Sequence, residues 1–249
     1  MSITLKTEKE LAAMRQAGKA VNYVLAVLSA EVKAGMKTKE LDIIAARELA
    51  KLGMKPSFKG YHGYPATVCV SVNEEIVHGI PGERVIREGD IVSLDFGAVY
   101  DGFQGDSALT VGVGKISPRA RELIEATKNA LQAGIKEARD GAHLGDIGAA
   151  IQGYAESRGF AIVREYTGHG IGRAMHEDPL VPNYGAPGTG IPLRKGMTLA
   201  IEPMLSAGDW HTVLGADKWV VRTADGSLSA HFEHTIAITG SEPEILTTV

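Results

Sequence analysis

The chain is almost without cysteine. Cys69 is the single thiol among 249 residues, so no intrachain disulfide can close, and a reducing compartment is expected. Long apolar runs are missing too. Nowhere do about 18 apolar residues follow one another, which excludes a transmembrane helix, and the opening MSITLKTEKELAAM has no apolar signal core. No block of like charge stands out and the net charge is only −4. Sequence-specific nucleic acid and an anionic membrane are therefore not expected partners. These absences leave a cytoplasmic globular protein as the expectation. Hydrophobic residues make up 44%, enough for a sizeable core in one domain spanning 1–249.

Glycine, by contrast, is abundant at 30 residues, which predicts many tight turns and much strand. Helix signals come first. Thr7 with Glu10 makes a capping box, and Leu11, Met14, Val21, Val24, Leu25 and Leu28 follow helical spacing. Further helices are expected over 38–51, from Ser117 with Pro118 at the first helical position towards Ala138, and over 146–157. Strands are expected over 67–72, 91–99, 104–113, 198–204, 218–223 and 228–239. Tyr100-Asp101-Gly102 and Asp225-Gly226 read as turns. PNYGAPGTGIP (182–192) is either a linker or the wall of a site.

Two segments echo each other. REGDIVSLD runs from Arg87 to Asp95 and RKGMTLAIE from Arg194 to Glu202. Each has Arg, then Gly two positions on, then an acid six after the Gly. An Asp-Gly turn and a second acid follow each: Asp106 in the first half, Glu233 in the second. This is the pattern of a duplicated unit with two acids per copy. Asp95 closes IVSL and Glu202 closes TLAI, where strands enter a core, and carboxylates are rarely buried unless paired or bound to a cation. Asp95 and Asp106 are expected opposite each other across the hairpin, ~5 Å apart. A lone acid of this kind is better explained as a strand end facing water; four in two matched pairs are not.

A histidine joins them. In YTGHGIGRAMHEDPL (166–180), His169 stands between Gly168 and Gly170, either in a loop shaped to aim a ligand or in a surface turn. Four carboxylates and an imidazole suit two divalent ions, Mn, Fe, Co or Zn. Two such ions about 3.5–4 Å apart can share a hydroxide that attacks a polarised carbonyl. Hydrolysis of an amide or a phosphate ester is the implied class.

Several separated motifs, in order, resemble those of the type I methionine aminopeptidases of metallopeptidase family M24. They are VNEEIVHGIP, DFGAVYDGFQGD, YTGHGIGRAMHEDPLVPNY, AIEPM and HFEHT. The resemblance covers nearly the whole chain. It implies the α+β "pita-bread" fold, with a central antiparallel sheet, outer helices and pseudo-twofold halves. It implies metal ligands at Asp95, Asp106, His169, Glu202 and Glu233, with Asp106 and Glu233 bridging two ions. His176 would hold the substrate carbonyl and His78 the scissile amide or the next residue, while Glu202 also handles the proton of the attacking water. Tyr61, Tyr64, Cys69 and Trp219 would line a methionine pocket, with Phe58 and Met175 nearby. A monovalent cation near Asn73, Glu75 and Ser229 is a further implied cofactor.

The substrate implied is the N-terminal Met of a nascent chain with a small second residue (Ser, Ala, Gly, Thr, Cys, Pro or Val). The chain's own Met1-Ser2 fits that rule and predicts loss of Met1. A monomer with transient ribosome contact is expected. Prolidase-type relatives usually carry another N-terminal domain, and only about sixty residues precede YHGYP. An inactive binding module of the same fold would have lost a ligand, and none is missing. Only 32 residues separate His169 from Glu202 and 30 separate Glu202 from Glu233, which leaves no room for the helical insertion of the type II enzymes.

Overall fold

The computed structural model describes residues 3–248. Met1 and Ser2, which carry the expectation of initiator removal, lie outside them. Four α-helices are present among the described residues: α1 (Glu8–Glu31), α2 (Thr38–Lys51), α3 (Pro118–Glu137) and α4 (Leu144–Ser157). Their ends fall where side chains satisfy free backbone groups. Thr7 and Glu10 form the predicted capping box, with the Thr7 N–H donating to the Glu10 carboxylate at 2.9 Å. Ser117 caps α3 by accepting from Ala120 N–H. α4 begins at Leu144 rather than Asp146, because the Asp146 carboxylate accepts the His143 N–H at 2.7 Å and draws His143 into the cap. The α1 stripe read from the spacing is buried throughout. At roughly 1.5–3 kcal/mol for each fully buried aliphatic side chain, that face, more than helix propensity, anchors α1.

A nine-stranded antiparallel sheet forms the centre. Lys55–Pro56, Ile91–Tyr100, Phe103–Gly112, Glu233–Ala237, Thr198–Ile201, Gly168–Gly170 and Glu177–Val181 cross it in that order, with Val68–Val72 on the Ile91 strand and Glu244–Ile245 on the Glu233 strand. Helices α1 and α2 pack Val24, Leu28, Leu41 and Leu49 against Val92, Leu94 and Phe96. Helices α3 and α4 pack Leu123, Leu131, Ile147 and Ile151 against Leu199, Ile201 and Ile236. Each half lays two helices on one face of a hairpin. Side chains alternate along a strand, so the intervening residues, Asp95 among them, turn to the opposite face.

The echo is a repeated hairpin. Gly89 and Gly196 share a φ of +91°, and their N–H groups donate to Val113 O and Ile238 O, both at 2.9 Å. Ile91 faces Gly112 as Thr198 faces Ala237, and Gly97 faces Asp106 as Met204 faces His231. Asp95 and Glu202 are therefore equivalent. The second acids are not: the place matched to Asp106 belongs to His231, and Glu233 matches Ala108. Aligning the copies on their Asp-Gly turns misled here, since only Asp101-Gly102 closes a hairpin.

Three expected strands are shorter or broken. The 198–204 run splits into Thr198–Ile201 and Met204–Ser206, with Pro203, which has no N–H for the ladder, in the gap. The 228–239 run splits at Phe232, and Lys218, at φ +64°, leaves only Val221–Thr223 extended. Asp101 and Gly102 alone make the first turn, at φ +48° and +75°, as a type I′ hairpin needs; Tyr100 stays in its strand. The 182–192 loop is neither linker nor cavity wall. It packs on the start of α4, where Gly188 N–H donates to Asp146, and its buried Asn183 donates to the Glu202 carbonyl at 3.1 Å.

Candidate active site

Asp95 and Asp106 lie on one hairpin but not opposite each other. Asp95 faces Ala108 and Asp106 faces Gly97, so the pair is diagonal. The sequence reading centred the turn one residue too early. Both side chains still leave the same sheet face, and the two carboxyls meet. Glu233 comes from the neighbouring strand, facing Ala108. Glu202 follows directly on Ile201, where the strand stops.

His169 sits in a three-residue strand, Gly168–Gly170, and not in a loop. Its glycines answer to neighbouring backbone. A Cβ on Gly168 would stand 2.3 Å from Ala200 O, and one on Gly170 2.2 Å from Asp178 O. The strand is pressed between two others, and His169 is its one side chain to aim. Its Nδ1 meets Gly170 O at 2.9 Å, and its Nε2 lies 3.6 Å from Glu202 Oε1.

The electrostatics of this group are strained without a cation. Burial, then repulsion from the other acids, pushes Asp106 and Glu233 well above the carboxylate range. Burial raises Glu202 to about 8 and Asp95 to about 7, and it lowers His169 to about 3. Asp95 Oδ1, Asp106 Oδ1 and Glu233 Oε1 are buried and find no hydrogen-bond partner among the described residues. Such a group is stable only if protons or cations join it. Donor atoms of Asp106, His169 and Glu233 lie within 4.8 Å of one another, as do those of Glu202, His231 and Glu233. Oxygen and imidazole donors at that spacing fit divalent ions of the first transition row.

A cavity of about 470 Å³ opens over these donors. Its other end is softer: Phe58, Tyr61, Tyr64, Cys69, Met175 and Trp219 line it. The Tyr64 ring stands edge-on to Trp219 at 5.1 Å, and its hydroxyl donates to Gly79 O at 2.9 Å. Burial raises the Cys69 thiol pKa, keeping it protonated. His176 and His78 stand on the walls. His176 Nδ1 meets Tyr61 OH at 2.8 Å, and its ring lies 4.2 Å from that of His169. His78 has a φ of +61°, and burial, then the neighbouring His231 and His176, lowers its pKa to about 4. Every predicted metal ligand, catalytic residue and methionine-pocket residue thus lines one cavity. Sequence reasoning passed over other lining residues: His62, Val77, Tyr166, Thr167 and Met204. Tyr166, Thr167 and Met204 lie inside motifs already singled out, so proximity in sequence was the available signal.

Of the three residues expected near a monovalent cation, two meet through their backbones. Ser229 N–H donates to Asn73 O at 2.9 Å. The Glu75 carboxylate pairs with Arg84 at 2.8 Å and Arg222 at 3.2 Å.

Residues 12–240 match the model of metallopeptidase family M24. The chain belongs to metallopeptidase family M24. A curated member, methionine aminopeptidase 1 of Bacillus subtilis, is 51% identical over 247 residues, covering 99% of this chain and 100% of that one. The methionine aminopeptidase of Clostridium acetobutylicum is 50% identical over 98% of each. The crystal structure of methionine aminopeptidase from Thermotoga maritima superposes with a TM-score of 0.98 at 50% identity, covering all of both chains. A prolidase from Pyrococcus horikoshii has a TM-score of 0.78 at 23% identity, and this chain covers 63% of it; at that identity only the fold is shared. The M24 fold here is the α+β pita-bread arrangement, and family membership brings divalent metal binding with it. Among the described residues no helix is long and apolar enough to cross a membrane.

Proposed function

We propose that this protein is a methionyl aminopeptidase, releasing the N-terminal Met of peptides whose second residue is small. The carrying observation is the cavity's two-ended chemistry. Buried acids with unpaired oxygens form one end, and polarizable, aromatic walls suited to a thioether form the other. Asp106 and Glu233, with His169, Glu202 and Asp95 around them, would hold the divalent ions. Fe, Mn, Co and Zn all suit these donors. When bound, such ions acidify water and polarise a carbonyl.

The chain's residues do the rest. Tyr64, Cys69 and Trp219 hold the Met side chain, with Tyr61 and Phe58 closing the pocket. Tyr61 donates to His176 Nδ1, which fixes the proton on Nε2, the nitrogen that donates to the substrate carbonyl. His78, kept neutral by burial, contacts the scissile amide or the next residue's backbone. Glu202 takes the proton of the attacking water and returns it to the leaving amine. Walls at Tyr61, His78 and His176 restrict the second residue to small side chains. Nascent chains in the cytoplasm are the natural substrate, met by a monomer in transient contact with the ribosome.

The test uses Met-Ala-Ser, Met-Leu-Ser, Leu-Ala-Ser and a Pro-starting peptide with metal-reconstituted protein. Met release from Met-Ala-Ser alone is expected. Asp95→Asn should abolish it and His176→Ala lower it ~100-fold or more. Cleavage of an Ala-Pro peptide, run beside them, with no Met release would transfer the chain to the prolidase branch.

A further inference from the structure

One buried imidazole beside the acids has no part in this mechanism. His231 is 1% exposed, and neither ring nitrogen finds a hydrogen-bond partner among the described residues. It faces Met204, two positions beyond Glu202. Glu202 stands between two imidazoles, one for each oxygen. Oε1 lies 3.6 Å from His169 Nε2, and Oε2 lies 3.5 Å from His231 Nε2.

The two imidazoles differ behind the ring. His169 places its far nitrogen, Nδ1, on Gly170 O at 2.9 Å. A metal-binding imidazole normally donates its other N–H in this way. Among the described residues His231 has no acceptor at Nδ1. Lending its Nε2 lone pair to an ion would leave a buried Nδ1–H unpaired, which is unfavourable. Its proton therefore belongs on Nε2, where the nearest acceptor is Glu202 Oε2. At 3.5 Å a small turn of either side chain makes that contact a hydrogen bond.

We propose that His231 is a positioning residue for Glu202. Its Nε2–H holds Oε2, so that Oε1, on the His169 side, is the oxygen presented to the divalent ion. The hairpin repeat gives this a structural logic, because His231 occupies the place that Asp106 has in the first copy. One copy of the unit fills it with an acid and the other with a group that orients one.

The proposal rests on Glu202 being a metal ligand, and the test separates the two ideas. Chelator-stripped full-length protein is titrated with Mn(II) by calorimetry, without substrate. His231→Gln, whose amide supplies an N–H, should bind within ~3-fold of wild type. His231→Leu should bind ~10–100-fold more weakly with an unchanged far-UV circular dichroism spectrum. A Leu variant that binds like wild type would reduce His231 to core packing and overturn the proposal. A Gln variant as weak as Leu, with a shifted Co(II) absorption spectrum, would make the imidazole itself a ligand. Histidine side-chain NMR of the Zn(II)-loaded wild type needs no variant. A proton on His231 Nε2 is expected, and a bare Nε2 would sink the idea. Wild type that takes up no divalent ion at all would instead overturn the ligand reading beneath it.

Discussion

At the scale of single residues, the site depends on what stands behind each functional group. His169 is aimed by Gly170 O, His176 by Tyr61 OH at 2.8 Å, and the Glu202 backbone by Asn183. Tyr61→Phe removes one hydroxyl and leaves the pocket's apolar wall. A single hydrogen bond of this kind is worth about 0.5–1.5 kcal/mol, so kcat should fall roughly tenfold with KM and thermal stability little changed. Unaltered kcat would show that Tyr61 serves only as a wall. The acids and His169 were legible in the sequence because charged groups in apolar runs and an imidazole between glycines are locally odd. His231 and Asn183 were not. Each sits in an ordinary local context, and what marks them, a missing hydrogen-bond partner and a reach to Glu202, exists only in three dimensions.

At the scale of elements, helices were more legible than strands. The caps at Thr7 and Ser117 are local chemistry and hold as read. Strand ends depend on partners elsewhere in the chain, so the 198–204 and 228–239 runs could not be divided from sequence. Nor could the register that puts Asp95 opposite Ala108 instead of Asp106. The break at Pro203 matters for function, since it frees Glu202 from the ladder at the point where its side chain enters the cavity. The Gly168–Gly170 strand has little tolerance for an added side chain. Gly168→Ala would force a Cβ to within 2.3 Å of Ala200 O, a backbone atom that can yield only by moving its strand. Overpacking of this kind costs about 1–3 kcal/mol. A fall in melting temperature with weakened divalent-ion binding is expected, because His169 is displaced with the strand. Wild-type affinity in that variant would show that the strand yields without carrying His169 off its aim.

At the scale of the whole molecule, two hairpins, each backed by two helices, enclose a group of acids that opposes folding unless a cation or protons join it. Its dependence on pH has a definite sign. Asp95 and Glu202 are raised, to about 7 and about 8, so the stability of the metal-free protein is lost as pH rises through those values. The lowered histidines, among them His169 at about 3 and His78 and His234 at about 4, act oppositely, but their effect is nearly complete once the unfolded chain's histidines have lost their protons, near pH ~7.5. Between pH ~7.5 and ~8.5 the acids dominate. Divalent ions compete with the protons on these acids, so their stabilisation should grow across the same window, reaching about 2.7 kcal/mol at a hundred times the Kd.

The most direct measurement is therefore the melting temperature of chelator-stripped and Mn(II)-saturated protein at several pH values from about 7.5 to about 8.5. A metal-free melting temperature that falls with pH, and a gap to the Mn(II) form that widens, is the predicted result. A metal-free protein that grows more stable with pH and gains nothing from Mn(II) would contradict a divalent metal site built from Asp95, Asp106, His169, Glu202 and Glu233.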